Sequence, residues 1–203
     1  MKISSRALQE ANKFSPSFVG WLHANRGGVS PVAEFPAEFV AAVGRVLRDE
    51  GGYESPRRAS GDGDAGGETN FGISKREYAD LDIADLTRDD AVQIYWFDWW
   101  IRFSYDDLPA AVAPKVFDLA INVGPGDAAI IVQRACRACG IAVPEADNLG
   151  PRTRAAAHQI ASENRTDAML AAIRSEAAGH YRGLALVRGQ SRFLNGWLNR
   201  AYE

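Results

Sequence analysis

Several things are scarce in this chain of 203 residues. Cysteine occurs only at Cys136 and Cys139 and histidine only at His23, His158 and His180. A zinc site built on cysteine pairs needs two more sulfurs or closely spaced histidines, so a structural zinc fold is excluded. The Cys-x-x-Cys sits inside "IIVQRACRACGI", a helical pattern with no strand just before it. That context favours two small buried helix residues over a redox pair. No run approaches the ~18 apolar residues of a membrane span. The first thirty residues lack the apolar centre of a signal peptide, being interrupted by Pro16, His23 and Asn25, so the expectation is a protein made in the cytoplasm. Positive charge is not in excess: the net charge is −3, which argues against nucleic acid as a partner. Internal repeats and low-complexity tracts are missing.

What remains is ordinary globular composition, 46% hydrophobic and 24% charged, enough for one sizeable core. Residues 1–34 form a slightly basic opening, with a short amphipathic helix expected near Ser4 to Lys13. They read either as a docking or membrane-surface arm or as an extension packed on the main body. From Pro36, "PAEFVAAVGRVLRDEGG" has Phe39, Val40, Val43, Val46 and Leu47 at helical spacing and a glycine stop at Gly51. "ETNFGIS" predicts a small β element. "SKREYADL" and "TRDDAVQIYWFDWWIRF" predict helices, the second opened by a capping-box pattern at Thr87 and Asp90. "AVAPKVFDLAINVGP", "PGDAAIIVQRACRACGI", a run starting near Pro151, "RTDAMLAAIRSEAAGHYRGLALV" and "SRFLNGWLNRAYE" complete a mostly α chain, a helical bundle with one small β-hairpin. The expected divisions are 1–34, 35–124 and 125–203, the last two packed as one globule.

Chemistry concentrates in the glycine-rich, acidic stretch from Arg48 to Ser74. Glu50 falls at the end of a helix, where the dipole disfavours its charged form and should raise its pKa. A carboxylic acid kept protonated near neutral pH is a proton donor. The plainer reading is a charged cap on a surface loop. Beyond it, Gly61, Gly63, Gly66 and Gly67 let the backbone turn tightly and bring Asp62 or Asp64, with Thr69, back towards Glu50. An acid plus a second group that positions water is the minimum for glycoside hydrolysis. The oxygen-rich "DGDAGGE" also suggests a calcium loop, but it departs from the EF-hand spacing. Of the aromatics in "YWFDWW", most are expected in the core and one or two along a cleft, where rings stack on sugar faces. Asp118 and Asn122, one helical turn apart, are either a buried hydrogen-bonded pair or a cleft edge.

The ordered blocks "EGGY", "DAGGETNFGIS", "IYWFDWW", "VFDLAINVGP", "NLGPRT" and "FLNGWLNRA" resemble glycoside hydrolase family 108, the phage and bacterial N-acetylmuramidases with a lysozyme-like α+β fold. The resemblance runs from about Phe35 to Glu203. It implies a peptidoglycan hydrolase that cleaves the β-1,4 bond between N-acetylmuramic acid and N-acetylglucosamine, with no metal or other cofactor. It places the catalytic acid at Glu50 and maps the Asp-x-Gly-Gly-x-Thr block onto Asp64, Gly66, Gly67 and Thr69. Asp64 and Thr69 would hold water or support the developing cation. Candidates for the cleft wall are Tyr53, Asn70, Phe71, Tyr95, Trp100, Asp118 and Asn122. From about Pro125 onward the resemblance implies a peptidoglycan-binding region.

The stretch Glu54–Gly63 is longer than the family pattern. Arg57 and Arg58 within it face either the anionic wall or solvent. An endolysin acting on the cell wall in the periplasm, delivered by a holin or another export route, is the expected setting, with the protein a monomer and residues 1–34 available for membrane or carrier contact. A non-catalytic wall-binding or secretion-accessory protein on the same body is the alternative. Retention or inversion of configuration stays open, because it depends on a carboxyl separation of roughly 5 Å against 6.5–9.5 Å.

Overall fold

The computed structural model describes residues 35–49, 52–53, 67–187 and 190–203. The amino-terminal arm therefore lies outside the described residues, as do Glu50, Asp62, Asp64 and the long Glu54–Gly63 stretch with Arg57 and Arg58. The fold is mostly α, lysozyme-like, with one small antiparallel hairpin. Two compact units divide between Arg102 and Phe103.

The first unit is built on helix α1, Ala37–Asp49. Phe39, Ala42, Val43, Val46 and Leu47 are all buried, a stripe with the three-to-four residue spacing of one helix face. Val40, which the sequence groups with them, falls on the other side and is 53% exposed. Phe39 is the centre of an aromatic cluster. Its ring lies 4.8 Å from Trp96, 5.3 Å from Trp100 and 5.3 Å from Phe35, mostly edge-on, the arrangement ring quadrupoles favour.

Helix α2, Arg88–Ile94, begins with the expected capping box: Asp90 N donates to Thr87 Oγ1 at 3.2 Å and Thr87 N to Asp90 Oδ2 at 3.0 Å. It then widens into a π-helical stretch, Tyr95–Ile101. Such stretches are short and uncommon. This one stacks Trp96 on Trp100 at 6.5 Å and sets Tyr95 beside Trp99 at 6.4 Å.

"SKREYADL" is not the helix its composition suggests. It is a series of single turns, with Tyr78 N donating to Ser74 O, Leu81 N to Tyr78 O and Leu86 N to Ile83 O. The run is too short to sustain a helical ladder of its own. Its last carbonyl also has another use, since Lys75 Nζ donates to Leu81 O.

The second unit is a helical assembly of α3 (Ala113–Val123), α4 (Pro125–Ala138), α5 (Pro151–Ser162), α6 (Thr166–Val187) and α7 (Leu194–Tyr202). Helix α4 packs against α3, α5 and α6, and α7 lies along α6. The loop after α4 is pinned by buried Gln133, whose amide donates to Asn148 O at 2.9 Å while its Oε1 accepts Ala146 N at 2.8 Å. Rings of Phe193, Trp197 and Tyr181 stack in sequence, 5.9 and 5.7 Å apart, and seat α7 on α6. Both cysteines are buried and unbridged, and burial pushes the Cys136 thiol up to about 11, so it stays protonated and unreactive at neutral pH.

Asp106, in the 3₁₀ turn Tyr105–Asp107, gives a pH-dependent contribution to stability. Burial, then the neighbouring Asp107 charge, push its carboxyl up to about 6 from 3.8, against weaker opposition from Arg154. Its Oδ1 has no hydrogen-bond partner among the described residues. A carboxyl raised on folding stabilises fully below its unfolded pKa, and the benefit is lost as pH rises through the folded value. Asp106→Asn is therefore expected to be more stable than wild type at pH 7, by about 1–2 kcal/mol after allowance for solvent screening. The difference should close below pH ~4. Urea unfolding at pH 4 and pH 7 checks both the sign and the closure.

Candidate active site

The hairpin is the best-defined part of the site. Strands β1, Thr69–Asn70, and β2, Ile73–Ser74, pair antiparallel with Thr69 opposite Ser74 and Asn70 opposite Ile73. Phe71 and Gly72 form the two-residue turn, with φ of +54° and +78°. Positive φ at both central residues is the primed geometry whose twist matches a tight hairpin. Glycine adopts it without cost, whereas an aromatic residue does so only where its surroundings hold it. Here the Tyr95 hydroxyl donates to Phe71 O at 2.9 Å, tying the tip of the hairpin to the π-helical stretch.

A second anchor lies one residue earlier. Asn70 is 5% exposed, and its Nδ2 donates to Ile83 O at 3.0 Å and to Leu86 O at 3.3 Å. Asn70→Ala would leave these carbonyls without that donor. The expected cost is about 1–3 kcal/mol. Urea unfolding followed by tryptophan fluorescence reads this unit, since Trp96, Trp99 and Trp100 all lie in it.

These anchors set Thr69, half-buried, at the base of the hairpin. Glu68 precedes it, and Lys75 N donates to Glu68 O at 2.9 Å, one rung beyond the two-strand register. The Tyr53 hydroxyl donates to Glu68 Oε1 at 2.9 Å, and that bond is the chief reason the phenol's pKa is raised.

The proposed cleft residues thus take different places. Tyr53 is 47% exposed and Phe71 half-buried, so both have surface to offer a ligand. Asn70, Tyr95 and Trp100 do not present their side chains to a surface. They are 5%, 2% and 1% exposed and hold the hairpin and the aromatic cluster from within. Asp118 and Asn122 belong to the second unit. The half-buried Asn122 amide donates to the Asp118 backbone O at 2.7 Å, and its Oδ1 accepts from the Arg200 guanidinium.

Two carboxylates escaped the sequence reading. Glu68 gave no local sign of its bond to Tyr53, fifteen positions away. Asp98 lies on the π-helical stretch, where burial raises its carboxyl above the usual range. Tyr78 donates a hydrogen bond to it, and burial likewise pushes the Tyr78 phenol up. A half-buried acid among tryptophans was the available signal, but it looks the same as a core position in sequence.

Residues 43–124 match the model of a family described as Glycosyl hydrolase 108. In that segment the chain is similar to glycosyl hydrolase family 108. That match supports a glycoside hydrolase that acts on peptidoglycan. Residues 127–202 match a second model, described as "Predicted Peptidoglycan domain", which gives the same substrate. A solved structure titled "Structure of Brucella abortus SagA" is similar, with 26% sequence identity and a TM-score of 0.56. The similarity covers 80% of this chain and 92% of that one. No curated protein matches the chain.

The family 108 boundary and the compact units do not coincide. The hydrolase match ends at residue 124, yet α3 is part of the second unit, together with the helices of the peptidoglycan match.

Proposed function

We propose that this protein is an N-acetylmuramidase. Glu50 protonates the glycosidic oxygen as it leaves C1 of N-acetylmuramic acid. Asp64 and Thr69 hold the attacking water or support the oxocarbenium-like transition state. The glycan strand is cut with N-acetylmuramic acid at the new reducing end. The supporting observation is that the hydrolase match spans Glu50, Asp64 and Thr69 intact, and that Thr69 sits on a hairpin anchored at both Asn70 and Phe71.

Tyr53 and Phe71 supply aromatic surface for a sugar face, the use rings serve in carbohydrate sites. Residues 127–202 hold the enzyme to the wall. In this reading the protein is an endolysin-type lysin whose activity is expressed in the periplasm, after a holin or another route delivers it, with residues 1–34 the segment available to a membrane or carrier. Incubation with purified sacculi tests the reading: a muramidase clears them and releases soluble reducing ends. A protein that sediments with sacculi and releases none is a wall-binding protein instead.

A further inference from the structure

The hydrogen bond between Tyr53 and Glu68 is not required by packing. Tyr53 is 47% exposed, Glu68 is half-buried, and fifteen positions of sequence separate them. Yet the two partners differ in how they are held. Glu68 is fixed through its carbonyl to the hairpin, and the hairpin is fixed through Asn70 and Tyr95. Tyr53 is joined to Glu50 through Gly51 and Gly52, the residue type that restricts the backbone least. Three residues of chain reach at most about 11 Å, so whatever holds Tyr53 also limits where Glu50 can go. Thr69 follows Glu68 directly.

We infer that Glu68 is a positioning residue: by accepting the Tyr53 hydroxyl it ties the chain that carries the Glu50 carboxyl to the hairpin that carries Thr69. The inference rests on the muramidase reading and adds a residue to it. A hydroxyl donating to a carboxylate is the stronger, charge-assisted kind of hydrogen bond, and a carboxylate offers two oxygens to receive it. The same bond closes the intervening chain at its base. Extra length between the two residues then costs little, because the entropy of closing a loop grows only slowly with its length. Because Tyr53 is exposed and Glu68 only half-buried, the bond acts mainly on position and little on stability, and melting temperature should barely move.

The test uses the full-length protein as Tyr53→Phe, Glu68→Ala, Glu68→Gln and the Tyr53→Phe/Glu68→Ala double variant. One readout does not involve activity: the rate at which trypsin cuts after Arg57 and Arg58, between the tied residues. The other is kcat and KM for reducing-end release. Tyr53→Phe and Glu68→Ala should each speed cleavage about threefold and lower kcat about tenfold, with KM little changed. The double variant should be no worse than either single, as expected for partners in one bond. Glu68→Gln, which keeps an acceptor oxygen, should restore most of both. Unchanged cleavage in Tyr53→Phe and Glu68→Ala overturns the tie. Faster cleavage with unchanged kcat overturns the positioning role, as does a double variant whose loss is the product of the singles. A wild-type protein that releases no reducing ends overturns the muramidase reading and the positioning role with it, while the cleavage rates still report whether the tie exists.

Discussion

Glu50→Gln should lose about 10²–10⁴ in kcat, the range a positioned general acid contributes. The amide is nearly the same size as the acid and keeps its hydrogen-bonding oxygen, but it has no proton to give the departing glycosidic oxygen. In sequence Glu50 is the residue after helix α1, whose buried stripe packs on an aromatic cluster. Binding to sacculi should persist, because the peptidoglycan match at residues 127–202 does not include Glu50. Reducing-end release and co-sedimentation, measured on the same preparation, separate the two. A loss below about tenfold would remove Glu50 from the role of acid. A loss of binding along with activity would point to a folding defect, which circular dichroism detects.

The second large effect concerns where the protein can be cut. The family matches invite a cut after Gly124, separating a hydrolase from a wall-binding part. In the fragment 1–124, residues 103–124 should not fold. Helix α3 buries Val116, Phe117, Leu119 and Ala120 completely, all within the second compact unit. It is held there by polar contacts as well: Lys115 Nζ donates to Arg200 O at 2.7 Å, and the Arg200 guanidinium donates to Asn122. Removing α4 to α7 exposes that apolar face, at about 1.5–3 kcal/mol for each large side chain. Val116, Phe117 and Leu119 together then cost as much as the whole stability of an ordinary domain. The expected product is insoluble or lacks α3 helicity, and is inactive. A soluble, monomeric fragment with cooperative melting and slow amide exchange through residues 113–123 would contradict this.

Much of the architecture is readable from residue spacing, and the exceptions have physical causes. The stripe of Phe39, Val43, Val46 and Leu47 and the Thr87–Asp90 box are local patterns, and both appear where expected. Val40 shows the limit of the first pattern, since one residue's rotation about the helix carries a valine from core to solvent. "SKREYADL" has helix-forming residues, but the run is too short to sustain a helical ladder, and Lys75 takes its last carbonyl. The widening of the helix at Tyr95 leaves no sign in residue type.

The site divides the same way. Thr69 on a small β element was legible from the alternation in "ETNFGIS". The role of Trp100 was not, because a ring that packs on Phe39 and a ring that stacks on sugar are the same residue in the same pattern. Asn70 was a candidate for the cleft wall and is an internal brace, since an amide's two hydrogens serve a buried turn as well as they serve a ligand. Tyr53 and Glu68 find each other across fifteen positions, a distance over which spacing carries no information.

The most direct measurement is chemical. Purified peptidoglycan is digested with the full-length protein, the new reducing ends are converted to alcohols with borohydride, and the products are identified by mass spectrometry. A muramidase leaves N-acetylmuramic acid at each new end, so the alcohol found should be N-acetylmuramitol, and its formation should fall with Glu50→Gln. N-acetylglucosaminitol in its place, or no new reducing ends at all, would contradict cleavage of the bond between N-acetylmuramic acid and N-acetylglucosamine with Glu50 as its acid.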